Sequence, residues 1–578
     1  MNILWLLVGA LIAVWLGYRF YSRFIARILG EEAGRTTPAV MHEDGKDYCP
    51  TSSPVVFAHH FASIAGAGPI LGPTMALMYG VIPVWLWVII GGIFIGAVHD
   101  YTSLFVSMRE RGRSIAEIAR SSLGEGGFGL MIGFTIIMII LVTSAFLVAS
   151  ARSLTSLVPL THLKLPVTQT VLKTVMKDGI AMGQIGGIAS TSVIFITLCA
   201  PFIGLLIYRL KASLRVTIPV ALVVCVISAL IGLRAPVTLD VTGWMIILSL
   251  YTLLAAGVPV WMILQPRDFT NVFILYGGVV LLLAAAVGAG LQGVTCGAPA
   301  FNLADGARAP SLGMLWPFLF ITVACGAISG FHALVAGGTV AKQVTSEPAA
   351  RVIGFGGMLL ETLLAVGVII AFAGGMPFTE YTNLVHPSSG NANPILAFAL
   401  AMSGIMYKGL HIPMVYGTVF GILMVEGFVA TTLDTAVRIN RYLFEELWVI
   451  LFRQPPALLR SYLFNSGLSV ALMMLFAFTN AFGALWPVFG TANQLLAALT
   501  LITLAAWLAA NRKKNAFLLL PALFMIATTL FALVFLAQRY IAGKNYVLLA
   551  ADVVMGLLAA GLIVVAVRSW MVSRASKS

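Results

Sequence analysis

Charge is what this chain has least of. Asp, Glu, Lys and Arg together make up only 10% of its 578 residues, and no long polar stretch interrupts the apolar ones, so a sizeable soluble domain is excluded. Cysteine is nearly as scarce. Cys49, Cys199, Cys225, Cys296 and Cys325 form no CxxC or other metal-like spacing, and most lie in apolar runs where packing explains them. Enzyme signatures are missing too: there is no P-loop, no HExxH and no GxSxG, and the His42-Glu43-Asp44 run lies in a loop without a partner histidine. A pump driven by its own ATPase, a metal enzyme and an intramembrane hydrolase therefore find no support, and no cofactor is implied.

What is abundant is hydrophobicity. Apolar residues make up 60% of the chain, and runs long enough to cross a bilayer, about 20 residues, recur throughout. The pattern predicts spans at 2–20, 55–78, 81–107, 128–150, 186–207, 216–233, 241–264, 270–292, 314–336, 352–375, 411–434, 463–485, 487–510, 515–537 and 546–568. The first lacks a basic leader and a small-residue cleavage site, so it reads as a retained helix with its N-terminus outside. That orientation places 25 of the 34 Lys and Arg residues in cytoplasmic segments, as the positive-inside rule requires. Arg109, Arg111 and Arg113, and Arg512, Lys513 and Lys514, are among the clusters that set it, and Arg568, Arg574 and Lys577 put the C-terminus inside. Solvated loop charge accounts for the net +13 without nucleic acid. Residues 394–407 are apolar but too short to span, and counting them as a crossing would turn the basic loop Arg438 to Arg460 outward, so a re-entrant or half helix is expected there.

One stretch breaks the membrane rules. Gly66, Gly68, Pro69, Gly72 and Pro73 fall within an apolar span, where proline removes backbone donors. Freed backbone survives at that depth only where protein or a watery cavity satisfies it, and an interrupted helix of this kind points to a transporter's binding site. The five spans from 55 to 233 begin inside and the five from 241 to 375 begin outside, which predicts two five-helix units of inverted topology. Gly257 and Pro259 supply a second interruption at the head of the second unit. The domains expected are thus 1–54 (an N-terminal transmembrane helix and loop), 55–233, 241–375, and 376–578 (the half helix and additional C-terminal helices). Substrate is expected where the two interruptions meet, with Gly66 and Gly68 letting it approach the backbone closely.

Six segments, AHHFASIAGAGPILGP, WMILQPRDF, FITVACGAISGFHALVAGGT, MLLETLLAV, EGFVATTLDTAVRINRYLFEE and WPVFGTANQLLAA, resemble the carbon starvation protein A family. The resemblance implies an all-α polytopic protein with a LeuT-like core of two inverted repeats. It also implies an inner-membrane uptake transporter for peptides or, in some members, pyruvate. Two departures stand out: His99-Asp100 where Gln-Asp is expected, and Ala336-Gly337-Gly338-Thr339-Val340-Ala341-Lys342 where members tend to carry Ser-Ser-Gly-Thr-Thr-Pro-Lys. By the same analogy Ser329 is a candidate ion or substrate ligand.

Ionisable side chains within spans mark pathways, because a charge at the bilayer centre costs about 2.5–3.5 kcal/mol on insertion scales. Glu361 and Glu426 lie deep, and Asp100 lies in a cytoplasmic half, so these three are the candidates for ion coupling, by H+ or Na+. Asp434 has Arg438 one turn on, which reads as a structural ion pair, and Asp552 near an interface reads as structural. His59 and His60 are adjacent, so their rings diverge and cannot chelate one metal; one of them, assigned to His60, faces the cavity. His332 fits either a packed histidine or a substrate or proton role. Arg267 and Asp268 at a cytoplasmic helix end fit either a gate ion pair or a cap. Asn493 and Gln494 read as satisfying a local bend. The function expected is secondary active transport of peptides or a small organic acid, with a membrane-embedded enzyme or sensor, or a passive channel, as competing classes. Single cysteines placed at each terminus of the otherwise cysteine-free protein should show the N-terminal tag labelled from intact cells by an impermeant maleimide and the C-terminal tag protected; a labelled C-terminus contradicts the topology.

Overall fold

The computed structural model describes residues 1–44, 48–259, 261–309, 311–388, 392–452 and 454–575; Lys577 lies outside them. Among the described residues twelve helices are long and apolar enough to cross a membrane, thirteen if a bent pair is counted as one span. In chain order they are α1 (Ile3–Leu29), the bent pair α2 (Ser53–Ile64) and α3 (Gly68–Tyr79), α4 (Val81–Arg109), α5 (Ile115–Leu154), α6 (Ile185–Arg209) and α7 (Leu214–Arg234). The shorter α8 (Val241–Gly257) precedes α9 (Leu264–Leu291). Next come α10 (Leu315–Thr322) and α11 (Phe331–Gly338), α12 (Glu347–Gly375), the shorter α13 (Pro394–Leu410) and α14 (Met414–Phe452). The chain ends with α15 (Tyr462–Thr479), α16 (Phe482–Ala510), α17 (Ala516–Ala542) and α18 (Tyr546–Arg568). A small antiparallel sheet, β1 (Val158–Pro159), β2 (Thr174–Lys177) and β3 (Ile180–Gly183) in the order β1-β3-β2, fills the connection from α5 to α6.

Burial sorts these helices into layers. The apolar windows of α5, α12, α14 and α16 are more than four-fifths enclosed, whereas those of α1 and α7 are only 28% enclosed. The outer helices present large apolar side chains such as Leu198, Leu254, Leu291 and Leu557 outward, as a hydrocarbon solvent demands. Inside, helices close backbone to backbone through small residues: Gly375 of α12 lies against Gly404 of α13, and Gly288 of α9 against Gly409 of α13.

The predicted first interruption is present. α2 stops at Ile64, the chain bends by 44°, and α3 restarts at Gly68 with Pro69 in its first turn, where a missing N–H costs nothing. Pro73 sits inside α3 without ending it. The second interruption is not where it was expected. Gly257 and Pro259 do not break a span: α8 ends at Gly257, and the chain turns before α9 begins at Leu264. The span expected as continuous at 314–336 is instead broken between Thr322 and Phe331, so α10 and α11 form the second interrupted helix. Residues 394–407 lie in a 17-residue helix, buried along almost its whole length.

Candidate functional site

The two interruptions meet. Next to Gly68 at the head of α3 stands the Cys325 side chain, and next to Gly72 stand the Thr322 carbonyl oxygen and the Val323 Cα; a Cβ on Gly72 would lie 3.0 and 3.2 Å from them. A Cβ on Gly66 would lie 2.9 Å from Thr432 Oγ1 of α14. Glycine is therefore required by close helix approach, and the space beside Gly66 and Gly68 is occupied by the chain itself. This corrects the reading that these residues open room for substrate. Pro69 lies against Gly326, whose Cβ would meet its Cα at 3.7 Å.

The backbone freed between α10 and α11 is satisfied from α16 and α4. Asn493 Oδ1 accepts from the Phe331 N–H at 3.1 Å and from the Ser329 hydroxyl at 3.2 Å, and its main-chain oxygen accepts from the Gly330 N–H at 3.1 Å. Trp486 Nε1 donates to the Thr322 carbonyl (3.3 Å), Trp87 Nε1 to that of Val323 (3.2 Å), and Gln494 to Phe320 and Val323. Asn493 and Gln494 do serve a bend, but that of another helix. Ser329 is held by this network.

Four titratable side chains cluster beside the junction. His332, in the first turn of α11, places Nδ1 2.7 Å from Asp100 Oδ2 on α4 and Nε2 3.3 Å from Glu361 Oε2 on α12. His99 Nδ1 lies 2.8 Å from the other Asp100 oxygen. All four are essentially without solvent exposure. The His332–Glu361 contact is long and not aligned as a hydrogen bond, and neither Glu361 oxygen has a hydrogen-bond partner among the described residues. His60 on α2, whose ring a Cβ on Gly357 would meet at 3.0 Å, is fully buried, and neither of its nitrogens has a partner among the described residues. Buried polar atoms in this number without partners mark a place for water or ligand. The structure thus brings together Asp100, His332 and Glu361, which the sequence offered separately. Glu426 stands apart, accepting from the Ser150 hydroxyl at 2.5 Å.

A second charged cluster joins α8, α9 and α14. Arg267, itself buried, reaches Asp434 at 2.8 Å and Thr431 at 3.2 Å, and it also bonds Tyr251, whose hydroxyl donates to Asp434 at 2.8 Å. Asp268 lies 3.9 Å from Arg267 and 2.9 Å from the Thr431 hydroxyl. A water-sized cavity of about 10 Å³ between α2, α9 and α14 adjoins Asp268, Asn271 and Thr431. The expected Asp434–Arg438 pair does not form. Arg438 instead donates to the carbonyls of Ala255 and Val258, and Arg441 to that of Ala256, so these guanidinium groups cap the end of α8 where Gly257 and Pro259 lie. Gly257 packs against the Tyr462 ring. Neither Gly257 nor Pro259 reaches the junction of the breaks. Sequence reasoning missed Tyr251 and Thr431, which carry no local signal, and Cys325.

The chain matches the family described as carbon starvation protein CstA over residues 2–389 and 378–532. It belongs to the carbon starvation protein CstA family. Among its relatives, the peptide transporter CstA of Campylobacter jejuni is 30% identical, aligning 91% of this chain with 79% of that protein. The pyruvate/proton symporter BtsT of Escherichia coli (strain K12) is 28% identical, aligning 92% of this chain with 81% of that protein. MhsT in complex with L-phenylalanine is similar in structure at 14% identity, with a TM-score of 0.44, covering 88% of this chain and 99% of that one. The six segments that suggested the family thus belong to a match that runs along most of the chain. α18 lies beyond it.

Removing one partner of a buried ion pair costs about 3–5 kcal/mol. A double-mutant cycle of thermal unfolding on the purified protein should therefore give a large coupling between Arg267→Gln and Asp434→Asn. Coupling between Arg438→Gln and Asp434→Asn should be small, because those two side chains hold different partners.

Proposed function

We propose that this CstA-family protein is a secondary active transporter that takes up peptides together with protons across the cytoplasmic membrane, its N-terminus outside and its C-terminus inside. The observation that carries the reading is the histidine held between two buried carboxylates on three helices, beside the point where the interrupted helices meet. One imidazole can donate from both nitrogens only when protonated. Two carboxylates facing one imidazolium still leave a negative charge, and an uncompensated buried charge is costly. A further proton, bound at Glu361, removes that cost and gives the cluster two states that differ by one proton. Such a difference is what coupling to a gradient needs, since a bound ion shifts a conformational equilibrium only by its differential affinity for the two states.

The substrate site opens beside the junction when the chain segments that fill it here move apart. The half-helix ends present their dipole charge to a carboxylate and an ammonium, while their own terminal groups are held by neighbours, the Phe331 N–H by Asn493 and the Thr322 carbonyl by Trp486. A peptide carries both charges and pyruvate one, and the relatives named as peptide transporters support the same choice. His60, against Gly357 of α12, has donor and acceptor capacity to spare. Arg267, with Asp268, Asp434 and Tyr251, closes a gate between α8, α9 and α14; opening it separates Arg267 from Asp434. Glu426 serves α5–α14 packing.

Glu361→Gln tests this reading, since the amide keeps the shape but cannot release a proton. In proteoliposomes the variant should lose concentrative dipeptide uptake under an imposed proton gradient while retaining dipeptide counterflow. Wild-type accumulation by Glu361→Gln would remove Glu361 from the coupling step.

A further inference from the structure

Below the charged cluster, α4 carries polar residues on one face. His99, Ser103 and Ser107 recur at intervals of four, the spacing that stacks side chains along a helix, and Thr102 lies beside them. All four are buried. Hydroxyls in the apolar helices of this protein commonly donate to the carbonyl four residues back, as Thr135, Ser144, Thr362 and Thr418 do. Thr102 and Ser103 do not: neither hydroxyl has a partner among the described residues, and neither has His99 Nε2. The row starts at Asp100, through His99 Nδ1, and ends at Ser107, whose hydroxyl donates to the Arg113 carbonyl at 2.7 Å in the basic turn after α4. Eight residues of helix cover about 12 Å.

We infer that this row, His99–Thr102–Ser103–Ser107, is the route by which the coupling proton leaves the Asp100–His332–Glu361 cluster for the cytoplasm. The inference rests on the proton coupling proposed above. The His332 imidazolium releases its Nδ1 proton to Asp100, and Asp100 passes a proton to His99 Nδ1, whose neutral ring carries its own proton on Nε2. The proton on His99 Nε2 then moves to the hydroxyls of Thr102 and Ser103 and to water along them. Asp100 and His99 end with as many protons as they began with, the Glu361–His332 pair ends one proton poorer, and one proton leaves the cluster. The titratable groups that face this row are Asp100 at its head, His332 on α11 and Glu361 on α12. Arg109 and Glu347, paired at 2.5 Å, mark its far end.

The test compares three variants in proteoliposomes loaded with a pH-sensitive dye, reading dipeptide-driven proton release and dipeptide counterflow. His99→Gln keeps a polar contact to Asp100 but cannot relay a proton, and loss of a proton-transfer group slows a step by about 100-fold or more. Proton release and concentrative uptake should fall on that scale in His99→Gln, with counterflow falling far less. Ser103→Ala, a change with no folding demand, should slow release to a smaller degree and decides the matter if His99→Gln does not purify in monodisperse form. Wild-type proton release by His99→Gln and Ser103→Ala in the same preparation where Glu361→Gln is uncoupled overturns this route alone. Normal coupling in Glu361→Gln overturns the proton site, and the route falls with it.

Discussion

Every backbone group that leaves a helix inside a membrane has to find a partner, and this structure is arranged around meeting that demand twice at one place. Each unmade hydrogen bond to a buried group costs about 1–3 kcal/mol, so a break of several residues is tolerable only with dedicated donors and acceptors. For α10 and α11 these come from Asn493, Gln494, Trp486 and Trp87. For α2 and α3 much of the cost is avoided, because Pro69 stands where no donor is needed and glycines let the second break come into contact. The deep burial of α16 follows from this supporting role.

Around that junction the buried charges divide into two groups with different chemistry. Asp100, His99, His332 and Glu361 are all carboxylates and imidazoles, groups that bind and release a proton. Arg267 and Asp434 form a pair in which the guanidinium is permanently charged, supported by Tyr251 and Thr431. The first group suits a change of protonation during a transport cycle, and the second suits a contact that is made or broken by moving helices. The two groups occupy different helices: α4, α11 and α12 for the first, α8, α9 and α14 for the second.

The membrane class, most of the long helices and the first interruption were legible in the sequence, because each rests on local chemistry: apolar length, basic loops, and two prolines with three glycines. The second interruption was misplaced for the same reason. Pro259 is a stronger local signal than Gly326 and Gly330, yet it only ends α8, while the proline-free run from Val323 to Gly330 breaks a span because α16 pays the hydrogen bonds. Asp434 shows the limit of the one-turn rule, since Arg438 is closer in sequence but is held by the carbonyls that end α8. His332, Asp100 and Glu361 were each visible as unusual residues; their meeting is a tertiary fact, separated by more than two hundred residues of chain between Asp100 and His332.

The proposed transport mechanism requires that a proton and a peptide cross together. The most direct measurement is uptake of labelled dipeptide and of labelled pyruvate into proteoliposomes of the wild-type protein, with a proton gradient or a sodium gradient imposed separately. Accumulation of dipeptide driven by the proton gradient and not by sodium is the predicted result. Accumulation driven by sodium alone, or of pyruvate but not dipeptide, would contradict it.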